Sequence, residues 1–298
     1  MIYKKSPIYV KFLIVSLLLM TSCASGCVSI SNKSKDSGEI YPRRSFVQIK
    51  HSVEVQGCGL DKKTGEEKCQ KAVMQYVSSG AYVFHSEVSQ GTSYVLTAGH
   101  SCESKMPKSQ LINGFRVENK GSTFKTVDLN GFHHEAQVIM INRRFDLCLL
   151  QVSNVIMGPP ILELAKKEPK RGETVTNLAA PHGLFWSGTV LIFKGQFSGY
   201  HDKGYSVYTI PTKPGSSGSP IINNENKLVG VIFAGYPRIE NVGLSSPLVA
   251  IRVFLKKAIA RGEMKLFEKN NIPKPNTQVD RLWIEEMKFK LNEVFGDK

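Results

Sequence analysis

The run Gly215-Ser216-Ser217-Gly218-Ser219-Pro220 constrains this chain more than any other segment. It sits between two apolar runs that read as strands, Tyr205 to Thr212 and Pro220 to Ile222. Glycine and serine runs are commonly linkers or turns. This one gains meaning from Leu96-Thr97-Ala98-Gly99-His100 upstream, and from Phe145-Asp146-Leu147-Cys148-Leu149-Leu150 between the two. A serine hydroxyl is a poor nucleophile at neutral pH and needs an adjacent base. Ser217 would supply the oxygen, His100 would take its proton, and Asp146 would fix the imidazole tautomer. Glycines around the serine let the backbone turn so that amides point at a developing oxyanion. The amides of Gly215 and Ser217 are the candidates for that hole. Losing one such donor typically costs about 10²–10³ in rate.

Taken together, these motifs resemble those of the trypsin/chymotrypsin-like serine peptidases. Their order along the chain, His then Asp then Ser, is that of this group and differs in other triad folds. The bacterial branch, with Gly-x-Ser-Gly-Ser-Pro, is the most similar. Ser217-Gly218-Ser219-Pro220-Ile221-Ile222-Asn223, followed by Leu228-Val229-Gly230-Val231, is similar to glutamyl endopeptidases and periplasmic heat-shock proteases. Ala179-Ala180-Pro181-His182-Gly183 resembles the same branch, and the likeness covers residues 75 to 260. It implies an all-β, chymotrypsin-like double six-stranded β-barrel with C-terminal helices. It also implies peptide-bond hydrolysis through an acyl-enzyme, with His100 and Asp146 from the first barrel and Ser217 from the second.

The resemblance extends to the substrate pocket. Its base would be Pro211-Thr212-Lys213-Pro214, where no aspartate stands to select Arg or Lys. The other wall would be Ile232-Phe233-Ala234-Gly235, and glutamyl endopeptidases carry a histidine where Ile232 falls. Thr212 and Ile232 point to an uncharged, small or medium side chain. Ala234 and Gly235 would offer backbone hydrogen bonds to an extended substrate. Ser216 stands where digestive trypsins place the aspartate that pairs with a newly cut N-terminus. Activity is therefore expected without that cleavage.

Strand signals are frequent. In the first half they are Ala81 to His85, Ser93 to Thr97, Phe124 to Leu129, Ala136 to Ile141 and Leu147 to Val152. In the second half they are Thr174 to Ala179, Gly188 to Phe193, Ser206 to Ile210, Ser219 to Ile222 and Leu228 to Ala234. Short strands at this density signal an all-β barrel. The expected division is 1–22 signal peptide, 23–45 tether, 46–156 first barrel, 157–262 second barrel and closing helix, and 263–298 helical extension. Ser246 and Pro247 look like the cap and first position of the closing helix, with Leu248, Ile251, Leu255 and Ile259 on its apolar face. A second helix is expected from Thr277, with Val279, Leu282, Trp283, Met287, Leu291 and Val294 along one stripe.

The N-terminus and the cysteines address the compartment. Lys4, Lys5 and Lys11 flank the apolar run Phe12 to Met20, which is shorter than the ~20 residues a bilayer span needs. The pattern is that of an export signal. Thr21-Ser22-Cys23 resembles a lipoprotein processing site, so Cys23 is the expected lipid anchor; plain cleavage near Ala24 with free secretion is the alternative. Of six cysteines, four remain beyond Cys27. Cys58 and Cys69 bracket a polar hairpin tip, where a bridge would contribute about 3 kcal/mol. Cys102 lies two residues after His100 and Cys148 two after Asp146, so the triad implied by the resemblance would also bring these cysteines together. Four cysteines still allow three pairings.

Net charge is +14, with basic residues scattered rather than massed. Such a balance fits an anionic envelope surface better than nucleic-acid reading. No phosphate loop or repeat is visible. His51, His85, His133, His134, His182 and His201 read as ordinary surface or core residues. No metal and no cofactor are expected. The expectation is an exported monomeric peptidase of the periplasm or cell envelope, acting on a protein or peptide substrate. Its alternative is a catalytically silent peptidase-fold binding protein.

Overall fold

The computed structural model describes residues 40–60, 64–86, 90–103, 108–112, 115–155 and 158–260. The expected signal segment, Cys23 and the helix from Thr277 lie outside these residues. Two β-barrels follow one another along the chain. The first uses β1 (Phe46–Leu60), β2 (Glu67–His85), β3 (Ser93–Ala98), β4 (Ser109–Ile112), β5 (Phe115–Asp128), β6 (His133–Asn142) and β7 (Leu147–Val152). Its order is β1-β2-β3-β7-β6-β5, and pairing of β5 with β1 closes six strands into a barrel. The short β4 hangs on the outer half of β5.

The second barrel uses β8 (Thr174–Ala179), β9 (Leu191–Tyr200), β10 (Ser206–Tyr208), β11 (Pro220–Ile222), β12 (Leu228–Gly235) and β13 (Gly243–Pro247). These close in the order β10-β13-β12-β11-β8-β9. The helix α1 (Leu248–Ala260) follows directly. No helix among the described residues is long and apolar enough to cross a membrane.

Burial explains which strands were legible. Every residue of β3 is buried, between β2 on one side and β7 on the other. Val47, Ile49, Tyr82, Val95 and Leu150 fill the first barrel. Leu96, Leu147 and Leu149 belong instead to a cluster shared with Ile210, Ile221, Val231, Ile251 and Phe254 of the second half. The two barrels thus share an apolar seam. Burial at about 25 cal/mol per Å² makes such a seam hard to open.

Four departures from the sequence reading have physical causes. β2 starts at Glu67, well before Ala81, because residues 67–77 pair with β1 while nearly all of their own side chains are exposed. A strand exposed on both faces shows no alternation to read. β13 was missed because Gly243-Leu244-Ser245-Ser246-Pro247 is polar, yet Ser245 and Ser246 are fully buried. Ser246 does not cap α1. Its hydroxyl donates to the Phe145 carbonyl at 2.5 Å, while Glu168 Oε1 accepts the Val249 amide at the helix start. Upstream, Arg43–Ser45, placed in the tether by composition, form a 3-10 turn with Ser45 buried.

Both expected disulfides are present. Cys58 and Cys69 face each other across the ribbon and are bridged. Cys102 and Cys148 join the turn after β3 to β7.

Candidate active site

His100 sits in a 3-10 turn, Gly99–Ser101, at the end of β3. Register pairs Ala98 with Leu147, so the residue before β7 arrives beside that turn. That residue is Asp146, held at φ +51°. Left-handed backbone is uncommon outside glycine, and aspartate is among the residues that tolerate it. The neighbouring Gly99 has no room for a side chain, since a Cβ would lie 2.8 Å from Asp146 Oδ1.

Two hydrogen bonds tie the aspartate to the histidine. The His100 amide donates to Asp146 Oδ1 at 2.7 Å, and Nδ1 meets Oδ2 at 2.6 Å. An ionised carboxylate only accepts, so the proton belongs on Nδ1. Nε2 is then the acceptor, and Ser217 Oγ lies 2.9 Å from it. Asp128, another aspartate of the first barrel, is engaged elsewhere. It accepts the amides of Asn130 and Phe132 and faces the buried His134 at 3.4 Å.

The loop that presents Ser217 is shaped by two glycines. Gly215 takes φ +94°, and a Cβ there would lie 2.9 Å from the His182 amide nitrogen and against the Ala180 carbonyl. Gly218 takes φ +85°, and its Cβ would overlap Thr97 Oγ1 and the Ser79 carbonyl. Ser216 is buried and closes the turn, its amide donating to Lys213 and its carbonyl accepting from Ser219. The His182 amide donates to the Pro214 carbonyl, holding the peptide that leads into Gly215. Among the described residues, the amides of Gly215 and Ser217 donate to nothing.

Ser79 and Thr97 belong to this arrangement and escaped the sequence reading. The Ser79 hydroxyl donates to the Gly215 carbonyl at 2.8 Å and accepts the Ala180 amide. Its backbone amide donates to the Ser217 carbonyl, and its carbonyl accepts from Thr97 Oγ1. Ser79 therefore clamps the Ser217 loop onto the first barrel. No local pattern marks such a role, because every partner except Thr97 comes from the second barrel.

Two clefts meet at Ser217. A cavity of about 240 Å³ is lined by Thr212, Lys213, Pro214, Ser216, Ile232, Ala234 and Gly235, which includes all four expected pocket residues. Gly243, also missed, sits behind it: a Cβ there would lie 2.9 Å from Ile232 Cδ1 and 3.0 Å from Thr212 Cγ2. A second cleft of about 280 Å³ runs past His100, Gly215 and residues 75–78 of β2. Among the described residues no group of three metal-binding side chains forms.

Comparisons with known proteins agree with this architecture. Over 140 residues the chain is 30% identical to Protease Do-like 4, mitochondrial, of Arabidopsis thaliana, a match covering 44% of this chain and 26% of that protein. The chain thus spans about a quarter of the length of the curated relative it matches. The crystal structure of the serine endoprotease from Yersinia pestis superposes with a TM-score of 0.51 at 17% identity, over 74% of this chain and 64% of that one. That likeness is one of fold. Residues 78–231, just over half of the chain, match the profile of the trypsin-like peptidase domain, and the protein belongs to that family.

Proposed function

We propose that the protein is an exported serine endopeptidase. The observation that carries this reading is the unbroken chain of hydrogen bonds from Asp146 through His100 to Ser217. His100 Nε2 takes the Ser217 hydroxyl proton as Oγ attacks the substrate carbonyl. The amides of Gly215 and Ser217 receive the resulting oxyanion. His100 then protonates the leaving amine, and water resolves the acyl-enzyme by the same route. Asp146 holds the ring orientation and stabilises the imidazolium.

Thr212 and Ile232 favour an uncharged side chain before the cleaved bond. Lys213, which also lines that pocket, pairs with the exposed Glu240 at 3.2 Å. The Ser216 hydroxyl, which accepts the Lys213 amide, closes the loop without an ammonium partner. This supports activity without an obligatory N-terminal cut. Export is supported by the Lys4 to Met20 pattern and by two disulfides. Cys23 would then carry a lipid anchor, and loss of fatty-acid labelling in Cys23→Ala is the expected result.

A fluorophosphonate probe tests the catalytic reading. Intact mass should show one adduct on the wild type and none on Ser217→Ala or His100→Ala. Absence of an adduct on folded wild type would favour the other reading, a cleft that holds peptide without turnover.

A further inference from the structure

Two turns, one from each barrel, meet and leave apolar side chains in water. The first is residues 129–132, between β5 and β6; the second is residues 184–189, between β8 and β9. The Gly188 amide donates to the Leu129 carbonyl at 2.6 Å, and the Ser187 hydroxyl donates to the Asn130 carbonyl at 3.0 Å. Leu129 is buried with Phe46 and Val190, and Phe185 packs against them. The two turns are therefore braced against each other. Even so, Phe132 and Trp186 are each 58% exposed and Leu184 is 43% exposed. Single apolar residues scattered over a surface need no explanation, but these three share two adjoining turns. An aromatic ring held half in water forgoes much of the stabilisation that its apolar area offers.

The charge of this face has one sign. The Arg43 guanidinium donates to the Gly188 carbonyl at 3.3 Å, which brings the start of the first barrel to the same place. The stretches that meet here, residues 40–48, 129–133 and 181–190, contain Arg43, Arg44, His133 and His182 and no aspartate or glutamate. The acids that flank them are engaged: Asp128 is buried and accepts two amides, and Glu135 pairs with Lys125. Aromatic rings beside basic groups suit the headgroup level of an anionic bilayer. Chain connectivity points the same way. Residues 1–39, with the expected export signal and Cys23, join the described chain at Ile40, whose carbonyl accepts from Asn226. Ile40 is three residues from Arg43, about 11 Å of chain at most.

We propose that the face carrying Phe132, Leu184 and Trp186 docks the folded protein onto an anionic phospholipid surface. This rests on the export reading above and not on catalysis. Burial of the three apolar side chains among the headgroups supplies one part of the affinity, and attraction of the basic groups for anionic lipid supplies the other. Neither part needs a lipid on Cys23. Leu184 directly follows Gly183, which lines the cleft beside His100. Docking therefore sets the rim of that cleft next to the bilayer and favours polypeptides lying at the membrane surface as substrates.

Tryptophan fluorescence tests this on the full chain. The sequence has two tryptophans, Trp186 and Trp283, so Trp283→Phe leaves Trp186 as the reporter. The protein, with Cys23 intact and as Cys23→Ala, is titrated with phosphatidylcholine vesicles containing about one quarter phosphatidylglycerol. Trp186 emission should move to shorter wavelength, and bromine high on the acyl chains should quench it more than bromine placed deep. Vesicles lacking phosphatidylglycerol should bind about fivefold or more weakly. Phe132→Ser should weaken the titration about tenfold. Its urea unfolding should stay unchanged, because the Phe132 amide and not the ring is bonded to Asp128. Leu111→Ser, an exposed apolar site at the opposite end of β5, should leave vesicle binding as it was. Quenching of Trp186 in either form of the protein supports docking. No quenching in both would overturn it and leave the face to a protein partner; equal losses for Phe132→Ser and Leu111→Ser, or equal binding to neutral vesicles, would overturn it too. Fatty-acid labelling is read separately. A labelled Cys23 with Trp186 unquenched keeps the anchor and rejects the face, whereas quenching without label keeps the face and rejects the anchor.

Discussion

The Ser79 hydroxyl donates to the Gly215 carbonyl at 2.8 Å, across the boundary between the barrels. With the His182 amide donating to the Pro214 carbonyl on the preceding peptide, Gly215 is fixed on both sides, and its own amide makes no hydrogen bond among the described residues. Removing the hydroxyl in Ser79→Ala leaves the Ala180 amide and the Gly215 carbonyl without this buried partner. We expect kcat to fall by about tenfold with little change in KM, because the hole matters most in the transition state. Ser79→Thr, which keeps the hydroxyl, should recover part of the loss. A parallel rise in KM would mean that Ser79 acts on substrate binding instead.

Gly218→Ala should unfold the site. The left-handed backbone costs about 1–2 kcal/mol for any other residue, and overlap with Thr97 and Ser79 adds about 1–3 kcal/mol. Gly188→Ala is the control, since it has similar φ (+78°) and no atom within 4 Å of the added Cβ. Urea unfolding should separate the two, with probe labelling lost only in Gly218→Ala.

The Cys102–Cys148 bridge spans 46 residues. Loop-closure entropy of that order is worth about 4 kcal/mol. Cys102→Ala/Cys148→Ala should therefore unfold at a lower urea concentration. It should also lose activity before unfolding, because the bridge braces the turns that carry His100 and Asp146. The Cys58–Cys69 pair closes a ribbon away from those turns, so its removal should leave probe labelling intact.

Pocket size can be tested at Gly243. Gly243→Ala would press Ile232 and Thr212 towards the cavity. Peptides with a leucine-sized side chain before the cleaved bond should lose about 10–100-fold in kcat/KM relative to those with alanine. An equal loss for both would place Gly243 in folding rather than selection.

Much of this molecule is local in origin. The nucleophile loop needs glycines at 215 and 218, and the turn after β3 needs one at 99, so these positions are marked in the sequence by residue type. Strands such as β3 and β7 are buried throughout or nearly so and appear as apolar runs. Residues 67–77 of β2 give no such contrast, because their side chains meet solvent on both faces. β13 is hidden for the opposite reason: its serines are buried, and the Ser246 hydroxyl finds its partner, the Phe145 carbonyl, only after folding. Sequence alone thus determined the family, the strands with apolar faces and the residues that meet as His100, Asp146 and Ser217. Tertiary structure decided what depends on two barrels meeting: the Ser79 clamp, the Gly243 wall and the face that carries Phe132 and Trp186. Backbone hydrogen bonds and packing between distant segments have no local signature, since their energy resides in pairs that the chain order does not reveal.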